Sequence, residues 1–140
     1  MASALYEDLV ADQHSFIWDS SMSNEGKTME RINVAKRAGY SLRMIAVLTP
    51  MEIAICQAMH RASLSRRFPN PAFLPASHRG FREAFRRYVP YFDEVTVFAS
   101  QVETSDGCYV VAEKLLGSKE LAIHDDEHFN AALSASTNLQ

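Results

Sequence analysis

No apolar run in these 140 residues approaches the roughly 20 needed to cross a bilayer, so no membrane-spanning helix is expected. Glu7 and Asp8 stand where a secretory leader would carry a basic region and then an apolar one, which argues against a signal peptide. Cysteine is scarce. Cys56 and Cys108 lie in apolar contexts without CxxC spacing and read as two buried thiols of a reducing compartment. A cytoplasmic location is the expectation. Basic charge is not in surplus either: 14 Lys and Arg face 17 Asp and Glu, for a net charge of −3. That balance excludes a general electrostatic grip on nucleic acid. There is no internal repeat, and no Ser-His-Asp or Cys-His arrangement with supporting context.

What is present is ordinary for a folded domain. The sequence is 47% apolar and 22% charged, and its length suits one domain over residues 1–140 with a single core. The basic residues are uneven: Arg61, Arg66, Arg67, Arg79, Arg82, Arg86 and Arg87 crowd one stretch, while the C-terminal part is acidic. A local anion site is compatible with an acidic total.

Periodicity predicts a short helix over Ala4 to Ala11 and a buried strand at His14 to Trp18, running into an Asp19-Ser20-Ser21 loop. A helix follows from about Asn24 to Arg37, with Gly39 as its stop. Arg43 to Thr49 reads as a buried strand closed by Pro50, which suits the first turn of a helix reaching about Leu64. Three prolines and Asn70 mark Ser65 to Ser77 as a loop or lid, and helix resumes from His78 to Tyr88, with the four arginines 79, 82, 86 and 87 on its polar, solvated side. Glu94 to Phe98 is a third strand. Asp106-Gly107 marks a turn, and Cys108 to Ala112 with Leu121 to Ile123 form a small C-terminal hairpin. A last helix over Asp125 to Leu133 precedes a frayed end, Ser134 to Gln140. The rhythm is that of an α/β fold with a mostly parallel sheet flanked by helices, binding ligands at the carboxyl ends of its strands.

Chemistry-bearing residues gather near those ends. In Trp18-Asp19-Ser20-Ser21, a carboxylate and hydroxyls can accept hydrogen bonds from a sugar or alcohol, help hold Mg²⁺, or cap the next helix. Ser21-Met22-Ser23-Asn24-Glu25-Gly26-Lys27-Thr28 ends like a phosphate loop between strand and helix. Its leading glycine, however, is Ser21, and Glu25 sets a negative charge where phosphates would arrive. Lys27 and Thr28 are therefore weak candidates. Arg61, Arg66 and Arg67, at a helix end and in the proline-rich loop, are either a phosphate-neutralising lid or a solvated basic face. His124 and His128 have the i, i+4 spacing of a helical metal pair, but no third ligand is apparent and an acidic turn is the simpler reading, so no metal site is expected.

From Asp19 through Gln101 the chain resembles the later portion of a zeta-toxin-type P-loop kinase domain, a family related to the nucleoside-sugar kinases of toxin–antitoxin systems. The resemblance rests on the order and spacing of Trp18-Asp19-Ser20-Ser21, Ala35-Lys36-Arg37-Ala38-Gly39-Tyr40, Val47-Leu48-Thr49-Pro50 and His60-Arg61. It continues through Arg66-Arg67-Phe68-Pro69, Pro75-Ala76-Ser77-His78 and Tyr91-Phe92-Asp93-Glu94-Val95-Thr96-Val97. It implies that Asp19 and Ser21 contact a sugar nucleotide, that Arg61 contacts the ATP phosphates with Arg66 or Arg67 as the lid arginine, and that ATP and Mg²⁺ are the cofactors. The family's glycine-rich phosphate loop, its lysine and its general-base aspartate belong before this point, and the eighteen residues preceding Asp19 hold none of them. A truncated kinase, inactive alone, and a non-catalytic binding or inhibitor/effector module both follow from that gap. An exposed sheet edge that pairs with a protein partner or a second copy follows too.

Overall fold

The computed structural model describes residues 2–66, 70, 72–100 and 107–133. The β-branched and apolar run after Gly39 makes the first strand, β1 (Arg43–Leu48), which pairs in parallel with β2 (Glu94–Ser100) from Arg43 opposite Glu94 to Leu48 opposite Ala99. β3 (Cys108–Lys114) runs antiparallel to β2, and β4 (Ala122–Ile123) antiparallel to β3, giving the order β1-β2-β3-β4. The fold is α/β, but the expected mostly parallel sheet is corrected: one pairing is parallel and two are antiparallel. The connection from β2 to β3 is too short for a parallel crossover, which needs a dozen or more residues. The expected strand at His14 to Trp18 does not join the sheet. That segment is irregular, with Ile17 97% exposed.

Five helices accompany the sheet: α1 (Ala2–Ala11), α2 (Glu25–Arg37), α3 (Met51–Ser65), α4 (Phe73–Tyr88) and α5 (Asp126–Leu133). α4 begins inside the expected loop. Pro75 sits in its first turn, where a missing N–H costs nothing, so proline does not break the helix there. Alternation sends Met44, Ala46, Leu48, Val95, Val97, Ala99 and Ala112 to one sheet face. They pack with Ile32 of α2, Phe85 and Tyr88 of α4, and Phe129 of α5, the last edge-on to Phe85 at 6.1 Å between ring centroids. Lys114 shares this buried face, and its Nζ donates to the carbonyls of Val89 (3.2 Å) and Phe92 (2.6 Å), closing the 3-10 turn Val89–Tyr91.

The opposite face is not covered in the same way. Ile45 and Val47 are 68% and 57% exposed, and Thr96, Phe98 and Val110 are half-buried. α3 contributes no residue to the core cluster; it buries Ala58 and Ala62. Cys56 and Cys108 are exposed, not buried, because Cys56 lies off that alanine stripe and Cys108 is the first residue of β3, beyond the part that β4 pairs. The Asp106 part of the expected turn and the frayed end 134–140 lie outside the described residues.

Candidate functional site at the carboxyl end of the first strand

The chain leaves β1 at Thr49-Pro50 into α3 and returns to it through α4. His78 and Arg82, four residues apart on α4, share one stripe with Phe85 and meet the end of β1. His78 Nε2 donates to the Thr49 carbonyl at 2.7 Å, and Arg82 Nη2 donates to the same oxygen at 3.2 Å. This fixes the His78 tautomer: Nδ1 carries no proton, and it is shielded without a partner. Burial pushes the His78 pKa below its ordinary value, with the Arg82 charge acting in the same direction and the Thr49 carbonyl and Glu52 opposing. Arg82 is 9% exposed, which corrects the reading of the α4 arginines as a solvated row. α4 is thus tied to the carboxyl end of β1, where α3 departs, by one carbonyl.

The segment before α2 is fastened to the same helix. Gly80 of α4 faces the Ser23 backbone so closely that a Cβ there would fall inside 3.0 Å of the Ser23 carbonyl oxygen. Tyr88 donates its hydroxyl to the Met22 carbonyl at 2.9 Å. Within the segment the Met22 N–H donates to Ser20 Oγ at 3.1 Å, and Ser21 Oγ lies 3.0 Å from Ser23 Oγ. The Ser21 hydroxyl is thereby oriented at the surface, and Asp19 is exposed beside it.

The first turn of α2 makes its contacts within the chain. Asn24 caps the helix, its side-chain oxygen accepting the Lys27 N–H at 3.0 Å. The Glu25 carboxylate occupies the same end, paired through both oxygens with Arg87, which holds its pKa below the usual carboxylate range. Thr28 is buried and bonds the Tyr88 oxygen, while Lys27 points to solvent. The Lys27 and Thr28 N–H groups and the Thr28 hydroxyl thus have partners within the chain.

Arg61 is exposed on α3, and Arg66 is exposed at its C-cap with φ +55°. Arg67 lies outside the described residues. Among the described residues no hydrogen bond or ion pair joins Arg61 or Arg66 to Asp19 or Ser21, so the two predicted groups stand apart. His128 Nδ1 lies 2.7 Å from Asp125 Oδ2, and His124 Nε2 lies 3.3 Å from Glu113 Oε2, so each histidine of the spaced pair has its own carboxylate.

Asp19 also borders a groove of about 630 Å³. Phe16, Ile17, Trp18, Asp19 and Ser20 form one wall, and residues 41–45 at the start of β1 form the other. Its floor is α2, through Arg31, Ile32 and Ala35. The guanidinium of Arg31 lies over Trp18 at 4.9 Å and Tyr6 at 5.4 Å.

Sequence reasoning missed the Thr49, His78 and Arg82 cluster and the Gly80 approach. A lone glycine inside a helical pattern was the readable signal for the second. It also missed Asp93, whose carboxylate takes Lys36 Nζ at 2.8 and 2.7 Å and the Leu42 N–H at 2.7 Å. Asp93 thereby ties the end of α2 to the starts of β1 and β2.

Among the described residues no helix is long and apolar enough to cross a membrane. Comparison with curated proteins and with solved structures finds no match. The zeta toxin family model matches residues 1–108, more than half of the chain and all of it through the start of β3. On that match the chain belongs to the zeta toxin family, as a kinase-like toxin domain.

Proposed function

We propose that this chain is the substrate-binding and lid-bearing part of a zeta-toxin-type kinase domain, serving ATP-dependent phosphoryl transfer to a sugar-nucleotide-type substrate and inactive on these residues alone. The observation that carries the reading is the shared anchoring at the carboxyl end of β1. α4 grips Thr49 through His78 and Arg82 and receives the 20–23 segment at Gly80 and Tyr88. Supporting it, Asp19 and Ser21 adjoin the segment that α4 anchors, near the end of β1 from which α3, the helix of Arg61 and Arg66, departs, and open α/β sheets hold ligands at such strand ends. In this reading Asp19 and Ser21 accept hydrogen bonds from substrate hydroxyls, and the arginines supply positive charge once substrate is bound. In this reading ATP and Mg²⁺ enter with a phosphate loop from elsewhere, which the capping of α2 by Asn24 supports.

A second reading, a non-catalytic binding or inhibitor/effector module, is favoured by one feature: α2 is capped by its own Asn24 and Glu25. Titration calorimetry with a UDP-sugar and with ATP·Mg²⁺ tests both. The kinase reading expects UDP-sugar binding, weakened about ten-fold or more in Asp19→Ala through loss of a charged hydrogen bond, and little ATP binding. Sugar-nucleotide phosphorylation on adding a strand–phosphate-loop–helix fragment separates it from the binding module, which stays inactive. Absence of sugar-nucleotide binding, or ATP binding lost in Lys27→Ala, overturns it.

A further inference from the structure

The 14–22 segment runs alongside β1 in the same direction. Its start is pinned next to the start of β1, where the Tyr40 hydroxyl reaches the His14 carbonyl at 3.0 Å, and its end passes into α2 at the opposite end of the strand. Yet no backbone hydrogen bond joins the two among the described residues, and the groove described above lies between them. Among the described residues β1 is an edge strand, pairing with β2. Its other edge therefore presents unpaired N–H and C=O groups to that groove.

We propose that this groove is a slot for one β-strand of a separate polypeptide, inserted parallel to β1 between it and residues 16–20. The floor of Ile32 and Ala35 is apolar, so the occupant presents apolar side chains downward. Arg31 stands in that floor with only aromatic rings against it among the described residues, so a carboxylate on the occupant completes the charge. Ile45 and Val47, exposed on the outer face beside the slot, are the surface that a helix following the inserted strand would cover. A second copy does not fit as well. Its own β1 is bound to β2 and would meet this edge isologously, in antiparallel sense, outside the 14–22 wall. The slot stands on this geometry. It rests on the kinase reading only in that a strand ending there would deliver its next loop beside Asp19 and Thr49.

Trp18, the single tryptophan, lies in the slot wall and reports occupancy. The probe is an acetylated and amidated peptide, Thr-Val-Glu-Val-Ile-Thr-Lys, as long as β2 at 7 residues. Its twins carry Lys or Pro in place of the central Val-Glu pair's Glu. The Glu peptide is expected to change Trp18 fluorescence saturably and to slow amide hydrogen exchange in β1, with no sugar nucleotide present. The Lys twin should bind about two- to five-fold more weakly, and the Pro twin, lacking a ladder N–H, should not bind. No response to the Glu peptide, an equal response to the Pro twin, or a dimer in light scattering with β1 amides already protected would overturn the proposal. Because no nucleotide is used, failure here is distinct from failure of the kinase reading.

Discussion

Gly80→Ala is the substitution whose outcome the packing fixes most narrowly. In an ordinary helix interior, replacing glycine by alanine stabilises by about 1 kcal/mol. At Gly80 the new methyl would meet the Ser23 carbonyl oxygen well inside 3.0 Å, with the Ser23 carbonyl carbon at 3.3 Å and Cα at 3.4 Å. All three atoms are backbone and cannot swing away, so α4 or the 20–24 segment must shift. Overpacking costs about 1–3 kcal/mol, and so close a backbone clash belongs to its upper part, about 2–3 kcal/mol; less the propensity gain of about 1 kcal/mol, the net loss is roughly 1–2 kcal/mol. For a chain of this size the melting temperature should fall by about 3–8 °C. Gly26→Ala is the control: the nearest atom to its Cβ is the Asn24 side-chain oxygen at 3.7 Å, an ordinary contact. It should be neutral or stabilising by up to about 0.5 kcal/mol. Urea unfolding followed through Trp18 reads both, and the same Gly80 variant should weaken UDP-sugar binding because the displaced segment carries Asp19 and Ser21. A Gly80→Ala protein as stable as Gly26→Ala would show that α4 and the 20–24 segment do not touch, and the anchoring argument would fail with it.

Three further outcomes are expected. Asp93 is held below the usual carboxylate range by Lys36 and the Leu42 N–H, so the folded state binds fewer protons than the unfolded state in acid. Its contribution is complete above an unfolded pKa of about 3.9 and is lost as pH falls through the lower folded value; Asp93→Asn should be less stable at neutral pH and lose that acid dependence in unfolding midpoints. The neutral form of His78 is favoured by burial, so stability is full above about pH 6.5 and declines as pH drops from there towards the folded value. In His78→Gln that limb should be absent by thermal melts. Lys114→Met removes the donor to the Val89 and Phe92 carbonyls while also removing a buried charge, for a net loss of about 1–3 kcal/mol in chemical denaturation.

Helical stripes were legible in the sequence because they depend on local spacing. α1, α2 and α3 fall where Leu9 and Val10, Ile32 and Ala35, and the run after Pro50 place them. β1 and β2 were legible as continuous apolar runs. The pairing was not, since sheet direction is set by the length of each connection and by which strands find partners. His14 to Trp18 has the composition of a strand, yet among the described residues it makes no ladder hydrogen bond to β1, and strand composition alone does not supply a partner. Pro75 misled because proline breaks helix interiors and suits first turns, and only the position of Phe73 distinguishes the two. The predicted site was legible as chemistry and not as geometry. Asp19, Ser21, Arg61 and Arg66 can be picked by residue type, whereas the Thr49 carbonyl that takes His78 and Arg82 is a main-chain atom with no side-chain signature.

The most direct test is an amide chemical-shift titration of the intact chain with UDP-glucose. The account predicts shifts concentrated in residues 19–23 and in α4 from His78 to Arg82. Shifts confined to residues 24–28, or none at saturating ligand, would contradict it.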